Sequence, residues 1–369
     1  MSGILSLLPQ LGNMMGYKVL RERNDGKLGV GKMRLFYLSS GCGFTFNKEL
    51  ADEDQAIILG LRQLSCSLRN FRFSTFLIGR ESNRQLLRRI RAFSPDVILA
   101  FRGMRISSDK VREIKRKVGV PIGIWVVDDP YRLQTHATLT IPYDFVVTQD
   151  AASLPFYQKR GKPCVHVPLA YNEEKYVPAQ VPSQYHSDLC FIGSGFPARL
   201  HVFDQLAPFL REKKFILIGQ WWEKLKHYNA LRTHIYNRPI PPTEVMKYYN
   251  GAKIVLNIHR TRNDRKENLE NLPAVTPNSR TFEIAACRSF QLATWRRGLQ
   301  NYYRIGEEII SYRGVHDLRE KIEYYLPRQK ERVLISSAGY MRTQRDHRYK
   351  HRLRTLLAFM EQYAEGKKR

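Results

Sequence analysis

Twice along the chain, short apolar runs alternate with helix-periodic segments, and most of these runs stop at glycine or a polar turn. The first series opens with Met33–Leu38, which breaks at Ser39-Ser40-Gly41-Cys42-Gly43. A helix over 54–68 follows, its apolar residues at Ile57, Ile58, Leu61, Leu64 and Leu68 recurring at helical spacing. Phe73–Ile78 is a second strand, and a helix over 84–93 leads to Pro95–Phe101. The near-continuous apolar character of that third run predicts burial on both faces. A helix over 108–118 precedes Pro121–Val127, which ends in Asp128-Asp129-Pro130. Phe145–Thr148, a helix over 154–159 and Cys164–Val167 complete the series. Strands separated by helices of this length predict a parallel sheet with helices on both faces.

The stretch Tyr171–Ser187 is rich in proline and polar residues and reads as a linker, after which the alternation restarts. Asp188–Ile192 closes on Gly193-Ser194-Gly195, and Arg199 opens the next helix. Lys214–Ile218 ends at Gly219, a helix over 242–249 follows, and Lys253–Arg260 is a further strand. A polar loop over 261–272 leads to a helix after Pro277, with Asn278 or Ser279 as its cap. Phe290–Thr294 and Glu307–Tyr312 are the last strands, before helices over 315–326, 329–343 and 349–363. At 369 residues two cores are expected, because a single core rarely outgrows about 250–300 residues. The expected division is an N-terminal arm over 1–31, domains over 32–175 and 176–345, and a basic C-terminal helix over 346–369.

Charge is the unusual part of the composition: 61 Lys and Arg against 34 Asp and Glu, a net +27. Such a field attracts polyanions, whether nucleic acid, anionic lipid, anionic polymer or nucleotide phosphates. Much of the excess is spread over the helices at 84–91, 110–117 and 342–354, so a distributed solvated face is the simpler account than a dedicated groove. Nucleic acid is disfavoured, since no helix-turn-helix, RNP-like or zinc pattern is present. No stretch approaches about 18 consecutive apolar residues, so no membrane-spanning helix is expected. The mildly apolar Ile4–Leu11 lacks a basic start and a small-residue cleavage site; it reads as an arm with room for peripheral membrane contact. Five scattered cysteines without a C-x-x-C pair fit a reducing cytoplasm, and exclude a disulfide framework and a zinc ribbon. Cys42, in the Gly-rich loop, reads as a small buried thiol.

Ligands of open α/β sheets bind beyond the carboxyl ends of the strands. The distinctive residues gather there: Gly41 and Gly43, Asp128 and Asp129, Gly193–Gly195, Gly219, and Asn257–Arg260. Gly193-Ser194-Gly195 offers backbone N–H groups to a phosphate, with Arg199 adding charge, or is a plain tight turn. It is neither a dinucleotide fingerprint nor a Walker motif. Asp128-Asp129-Pro130 holds a metal, supplies a base or simply turns the chain. His259 contacts a sugar or phosphate, or is a satisfied interior histidine. On the helix after Pro277, Arg280 and Glu283 share a face. There they either hold a phosphate and a sugar hydroxyl, or form a surface pair. No nucleophile elbow, H-E-x-x-H motif or Cys/His constellation supports hydrolase or zinc chemistry.

The motif series resembles CgeB-like proteins, the spore-maturation or glycosyltransferase-like family of GT-B type. It runs Trp125-Val126-Val127-Asp128-Asp129-Pro130, Pro168-Leu169-Ala170, Phe191-Ile192-Gly193-Ser194, Leu256-Asn257-Ile258-His259-Arg260 and Arg280-Thr281-Phe282-Glu283. Gly306–Tyr312 and the Tyr324-Tyr325-Leu326 helix also match, so the likeness spans about residues 34–357. The resemblance implies two tandem Rossmann-like domains facing a cleft, with C-terminal helices, and a metal-independent glycosyltransferase of hexosyl type. The donor would be a nucleotide-sugar, with no other cofactor and no metal. The acceptor would be a cell- or spore-surface polymer or protein, in a cytoplasmic protein associated with the membrane or forespore surface.

By that likeness Gly193, Ser194, Arg199, Gly219, Asn257, His259, Arg260, Arg280, Thr281, Phe282 and Glu283 face the donor. Glu283 would take ribose or sugar hydroxyls, and Arg199 and Arg280 the diphosphate. Ser40, Gly41 and Gly43 lie on the acceptor side, and Asp128 or Asp129 is the candidate base. One residue departs from the pattern: Arg288 stands where glycine is expected after Ala285-Ala286-Cys287. Either the loop differs there or the donor pocket has changed. The second alternative leads to another reading, a catalytically silent scaffold that binds an anionic polymer.

Overall fold

The computed structural model describes residues 32–41, 50–264, 267–268 and 270–368. The N-terminal arm, Cys42 and Gly43 lie outside the described residues. The first half of the chain contains β1 (Met33–Leu38), α1 (Asp52–Ser67), β2 (Phe71–Phe76), α2 (Asn83–Phe93), β3 (Val97–Phe101) and α3 (Ser108–Val118). It continues with β4 (Ile122–Val126), α4 (Leu133–Leu139), β5 (Phe145–Thr148), α5 (Leu154–Gln158) and β6 (Cys164–His166). The strands form one parallel sheet in the order β2-β1-β3-β4-β5-β6.

Both faces of this sheet are covered, which explains the near-continuous apolar runs. Leu35, Tyr37, Leu99, Trp125 and Val147 point to one side, against Ile57, Leu61 and Leu64 of α1. Phe36, Leu38, Ile98, Ile124 and Val146 point to the other, against Leu86 and Ile90 of α2 and Val111 and Ile114 of α3. The single-residue alternation between two buried clusters is the two-residue period of a strand.

The second half repeats the plan: β7 (Ser187–Ile192), α6 (Pro197–Leu210), β8 (Phe215–Ile218), α7 (Tyr228–Leu231), β9 (Ile235–Tyr236), α8 (Pro242–Gly251) and β10 (Ala252–Asn257). Then come α9 (Ser279–Ala286), β11 (Gln291–Thr294), β12 (Ile310–Tyr312), α10 (Gly314–Tyr325), α11 (Gln329–Asp346) and α12 (Tyr349–Lys368). Its parallel sheet runs β12-β11-β10-β7-β8-β9, the strand order of a doubly wound dinucleotide-binding sheet. The expected two-sheet α/β architecture is therefore observed. α4, α7 and β9 were not foreseen; at two to seven residues they are too short to show a period.

The basic C-terminal helix has a specific berth. α12 leaves the second domain and packs against α1, and Leu353, Leu356, Leu357 and Met360 are fully buried in the first domain's core. The Tyr349 ring meets Trp125 edge-on at 6.3 Å, and Phe359 meets Phe145 at 5.5 Å. The helices approach so closely at Gly60 that a Cβ there would lie 2.8 Å from Leu353 Cδ1. No helix among the described residues is long and apolar enough to cross a membrane.

Candidate functional site between the two sheets

In each sheet the strand order reverses once, between β1 and β3 in the first and between β7 and β10 in the second. Such reversals leave a crevice at the carboxyl ends of the strands. Two adjoining cavities occupy the space between the crevices. One, of about 170 Å³, is lined by Arg102, Asp128, Tyr131 and Asp150 from the first domain and Arg199, Arg260, Asn278 and Arg296 from the second. The other, of about 260 Å³, is lined by Asp52, Tyr171, Tyr176, Pro242, Tyr249 and Glu283. Glu53, Ser279 and Arg280 border both.

The helix that joins the two cavities is α9, and its amino end is held by a side-chain network. Asn278 caps it, accepting from the Thr281 backbone N–H at 3.1 Å and from the Thr281 hydroxyl at 2.9 Å. Asn257, at the end of β10, accepts from Asn278 Nδ2 at 3.0 Å and donates to Thr281 Oγ1 at 3.0 Å and Gln291 Oε1 at 3.1 Å. Phe282 faces away from the cavities into the core, against Tyr302, Tyr303 and His347. The face that remains presents Arg280 to both cavities and Glu283 to the larger. Burial pushes the Glu283 carboxyl up to about 7, against the opposing pull of Arg280. Asn257, Thr281 and Phe282 thus build the site without facing it.

Arg199 sits in the wall and is almost fully buried. Its Nε donates to the Ile258 carbonyl and its Nη1 to the Ser194 carbonyl, both at 3.0 Å, so it ties the loop after β7 to the end of β10. Burial, with Arg280 close by, lowers it to about 9, which leaves it cationic at neutral pH. His259 is a satisfied interior histidine: Nδ1 donates to the Thr294 carbonyl at 3.0 Å, and burial holds its pKa well below the usual value. Gly193 and Gly219 mark a backbone crossing. A Cβ on Gly219 would lie 2.0 Å from the Gly193 carbonyl oxygen, and that oxygen accepts from Trp222 Nε1 at 2.9 Å.

The two aspartates after β4 part company. Asp129 turns into the first domain, where His136 Nδ1 and the Thr148 hydroxyl each donate to it at 2.6 Å and the Tyr157 hydroxyl at 2.9 Å. Asp128 is half-exposed in the cavity and accepts from Arg260 Nη1 at 3.2 Å. Its φ of +69°, with +60° at Arg102 after the neighbouring strand, places two non-glycine residues in the left-handed region at one cavity wall. Arg102 reaches Glu53 at 2.8 Å. On the same side, Ser40 donates its backbone N–H (3.0 Å) and hydroxyl to the buried Asp54 carboxylate, so it shapes the turn after β1. Gly41, at φ +100°, lies under Arg105.

Sequence reasoning passed over Glu53, Arg102, Asp150 and Arg296. Asp150 and Arg296 sit just after β5 and β11, the one rule that would have found them. Asp150 accepts from the Val275 and Thr276 backbone N–H groups at 3.1 Å, and burial lifts it to about 6. Arg296 donates to the Thr276 carbonyl at 2.6 Å, the Tyr131 hydroxyl at 2.7 Å and the Arg260 carbonyl at 2.8 Å. Arg288, by contrast, is remote from both cavities. It takes φ +55° and completes the end of α9: its N–H meets the Ala285 carbonyl and that of Ser289 the Ile284 carbonyl. The glycine conformation is kept without the glycine, and Arg288 lines neither cavity.

Comparison with known proteins agrees with this architecture. Residues 200–358 match a family described as glycosyl transferase-like. Spore protein CgeB of Bacillus subtilis is 29% identical over 275 residues, which cover 73% of this chain and 84% of CgeB. The chain is thus similar to CgeB over 73% of its length. Solved structures place the chain in the GT-B fold. HepE of Anabaena, crystallised with UDP and glucose, superposes with a TM-score of 0.54 over 91% of this chain and 99% of its own, at 12% identity. Sucrose-phosphate synthase of Thermosynechococcus elongatus gives 0.56 over 91% and 98%, at 10% identity. AviGT4, a glycosyltransferase of avilamycin A biosynthesis, gives 0.57 over 90% and 98%, at 12% identity.

Proposed function

We propose that this CgeB-like protein transfers a hexosyl group from a nucleoside-diphosphate sugar to a hydroxyl of an anionic polymer or protein at the cell or spore surface. The observation that carries the proposal is the pairing on α9. Glu283 faces one cavity, and Arg280 borders the other, where it joins Arg102, Arg199, Arg260 and Arg296. Ribose hydroxyls donate to Glu283, and the diphosphate lies at the amino end of α9 among the arginines. HepE, which shares the fold, was crystallised with UDP and glucose, and CgeB is a spore protein; both accord with this reading.

In the transfer step the acceptor oxygen bonds to the anomeric carbon as the bond from that carbon to the phosphate oxygen breaks. The electron pair leaves on the diphosphate, where arginine side chains and the α9 backbone dipole take up the charge. The proposal assigns this charge to protein groups and to no metal ion. The acceptor's proton passes to a base, and Asp128 is the better candidate of the two, since Asp129 is already committed to three donors. The excess of Lys and Arg suits a polyanionic acceptor.

The test is a thermal-shift series with UDP, GDP, ADP, CMP and dTDP on the wild type and Glu283→Ala. A ligand at 100 times its Kd stabilises the folded state by about 2.7 kcal/mol, a shift of several degrees. A shift for one nucleotide, lost in the variant, is the expected result. No shift with any of them would end the donor reading and turn attention to the silent scaffold. That second reading has lost part of its motivation, because Arg288 stands away from the cleft; only the charge still favours it.

A further inference from the structure

Between Arg260 and α9, the second domain sends a segment across to the first. Most of the bridges that hold it join surface groups: Glu267 meets Arg132 and Thr135, and Glu270 meets Lys159 and Arg160. At Val275 and Thr276 the attachment is of another kind. The buried Asp150 carboxylate accepts both backbone N–H groups, at 3.1 Å, and that of Ala152 at 2.9 Å. The Thr276 hydroxyl accepts from the Ala151 backbone N–H at 3.3 Å and meets His166 Nε2 at 3.0 Å. The Val275 carbonyl accepts from the Gly298 N–H at 3.0 Å, and Arg296 holds the Thr276 carbonyl. Every backbone polar group of these two residues is thus taken, half of them by the first domain.

Two residues further on, Asn278 caps α9. A dipeptide with fixed φ and ψ transmits position rigidly, and Pro277 between clasp and cap removes more freedom. We infer that Asp150 is a positioning residue through which the first domain fixes the amino end of α9. It sets where Arg280 and Glu283 stand relative to Glu53 and Asp128 across the cleft. Its carboxylate is suited to this: three N–H donors converge on it, and an amide in its place would turn an NH₂ group toward them. The surface bridges hold the domains together; the Asp150 clasp sets their register at the site. Its link to nucleotide binding rests on the donor reading above, while its structural core does not.

The experiment is hydrogen exchange by mass spectrometry and NMR on the full-length wild type, Asp150→Asn, Thr276→Ala and Glu267→Ala, each with and without UDP. Without nucleotide, the Val275 and Thr276 amides are expected to exchange about 100-fold faster in Asp150→Asn than in the wild type, and less so in Thr276→Ala. Unchanged exchange in both clasp variants overturns the inference, whatever nucleotide binds. With UDP, the wild type and Glu267→Ala are expected to gain protection in α9 and also in the first-domain segments 52–58 and 128–131. At a UDP concentration that saturates it, Asp150→Asn should gain protection in α9 and fail to pass it to the first domain. Protection that still crosses in Asp150→Asn, or that is lost equally in Glu267→Ala, overturns it. If Asp150→Asn does not fold, the milder Thr276→Ala carries the same comparison. A wild type that binds no UDP counts against a uridine donor, and the nucleotide-free arm then decides for or against the clasp.

Discussion

On the donor reading proposed above, Glu283 carries both a function and a cost. Burial holds its folded pKa at about 7, against about 4.5 in an open chain. A raised carboxyl contributes fully to stability below about 4.5, and that contribution fades as pH climbs through about 7. Glu283→Gln should therefore gain on the wild type between pH 5 and pH 8, by about 2 kcal/mol in denaturant melts. Nucleotide affinity should move the opposite way. Ribose hydroxyls favour the ionised form, so wild-type binding should weaken as pH falls below about 7, and calorimetry on Glu283→Gln should show weaker binding without that slope. Arg288 poses a separate question of backbone strain. Its left-handed φ is tolerated with the guanidinium on Ser337 at 2.9 Å. Arg288→Val should cost about 1–2 kcal/mol, and Arg288→Gly should stay within about 0.5 kcal/mol of the wild type, since glycine accepts this conformation freely. Nucleotide affinity should be unchanged in both.

At the scale of elements, α9 depends more on what precedes it than on its own eight residues. Asn278→Ala removes the cap and leaves Asn257 Oδ1 without its donor, a combined loss of about 2–3 kcal/mol in a thermal or denaturant melt. The cap itself was legible from Pro277-Asn278-Ser279, and the long strands from their apolar runs. Glu283 could be singled out because a carboxylate three residues after a guanidinium on an otherwise apolar helix is conspicuous. The division of labour within the motif was not legible. Asn257, His259 and Arg199 carry polar groups typical of ligand contacts, yet Arg199 and His259 spend them on backbone carbonyls, and Asn257 on the side chains of Thr281, Gln291 and Asn278. Asp128 and Asp129 are adjacent and chemically identical in the sequence; only the fold shows that one faces solvent and the other three buried donors. Asp150 escaped notice because its partners lie 125 and 126 residues away and are backbone amides, which leave no residue signature.

For the whole molecule, α12 is the least dispensable helix relative to its position in the chain. Leu356→Ala should cost about 2–5 kcal/mol, the range for deleting a fully buried leucine side chain, measured as a lower denaturation midpoint. Because that leucine belongs to the first domain's core, the loss should appear in probes of the first domain such as Trp125 fluorescence. The same packing has a temporal side. During synthesis, β1 to β6 leave the ribosome some 180 residues before the helix that covers one face of their sheet. Until Tyr349–Lys368 has been made, Tyr37, Trp125 and Phe145 border an open apolar surface. The half of the protein that is translated first is thus the half whose core is completed last.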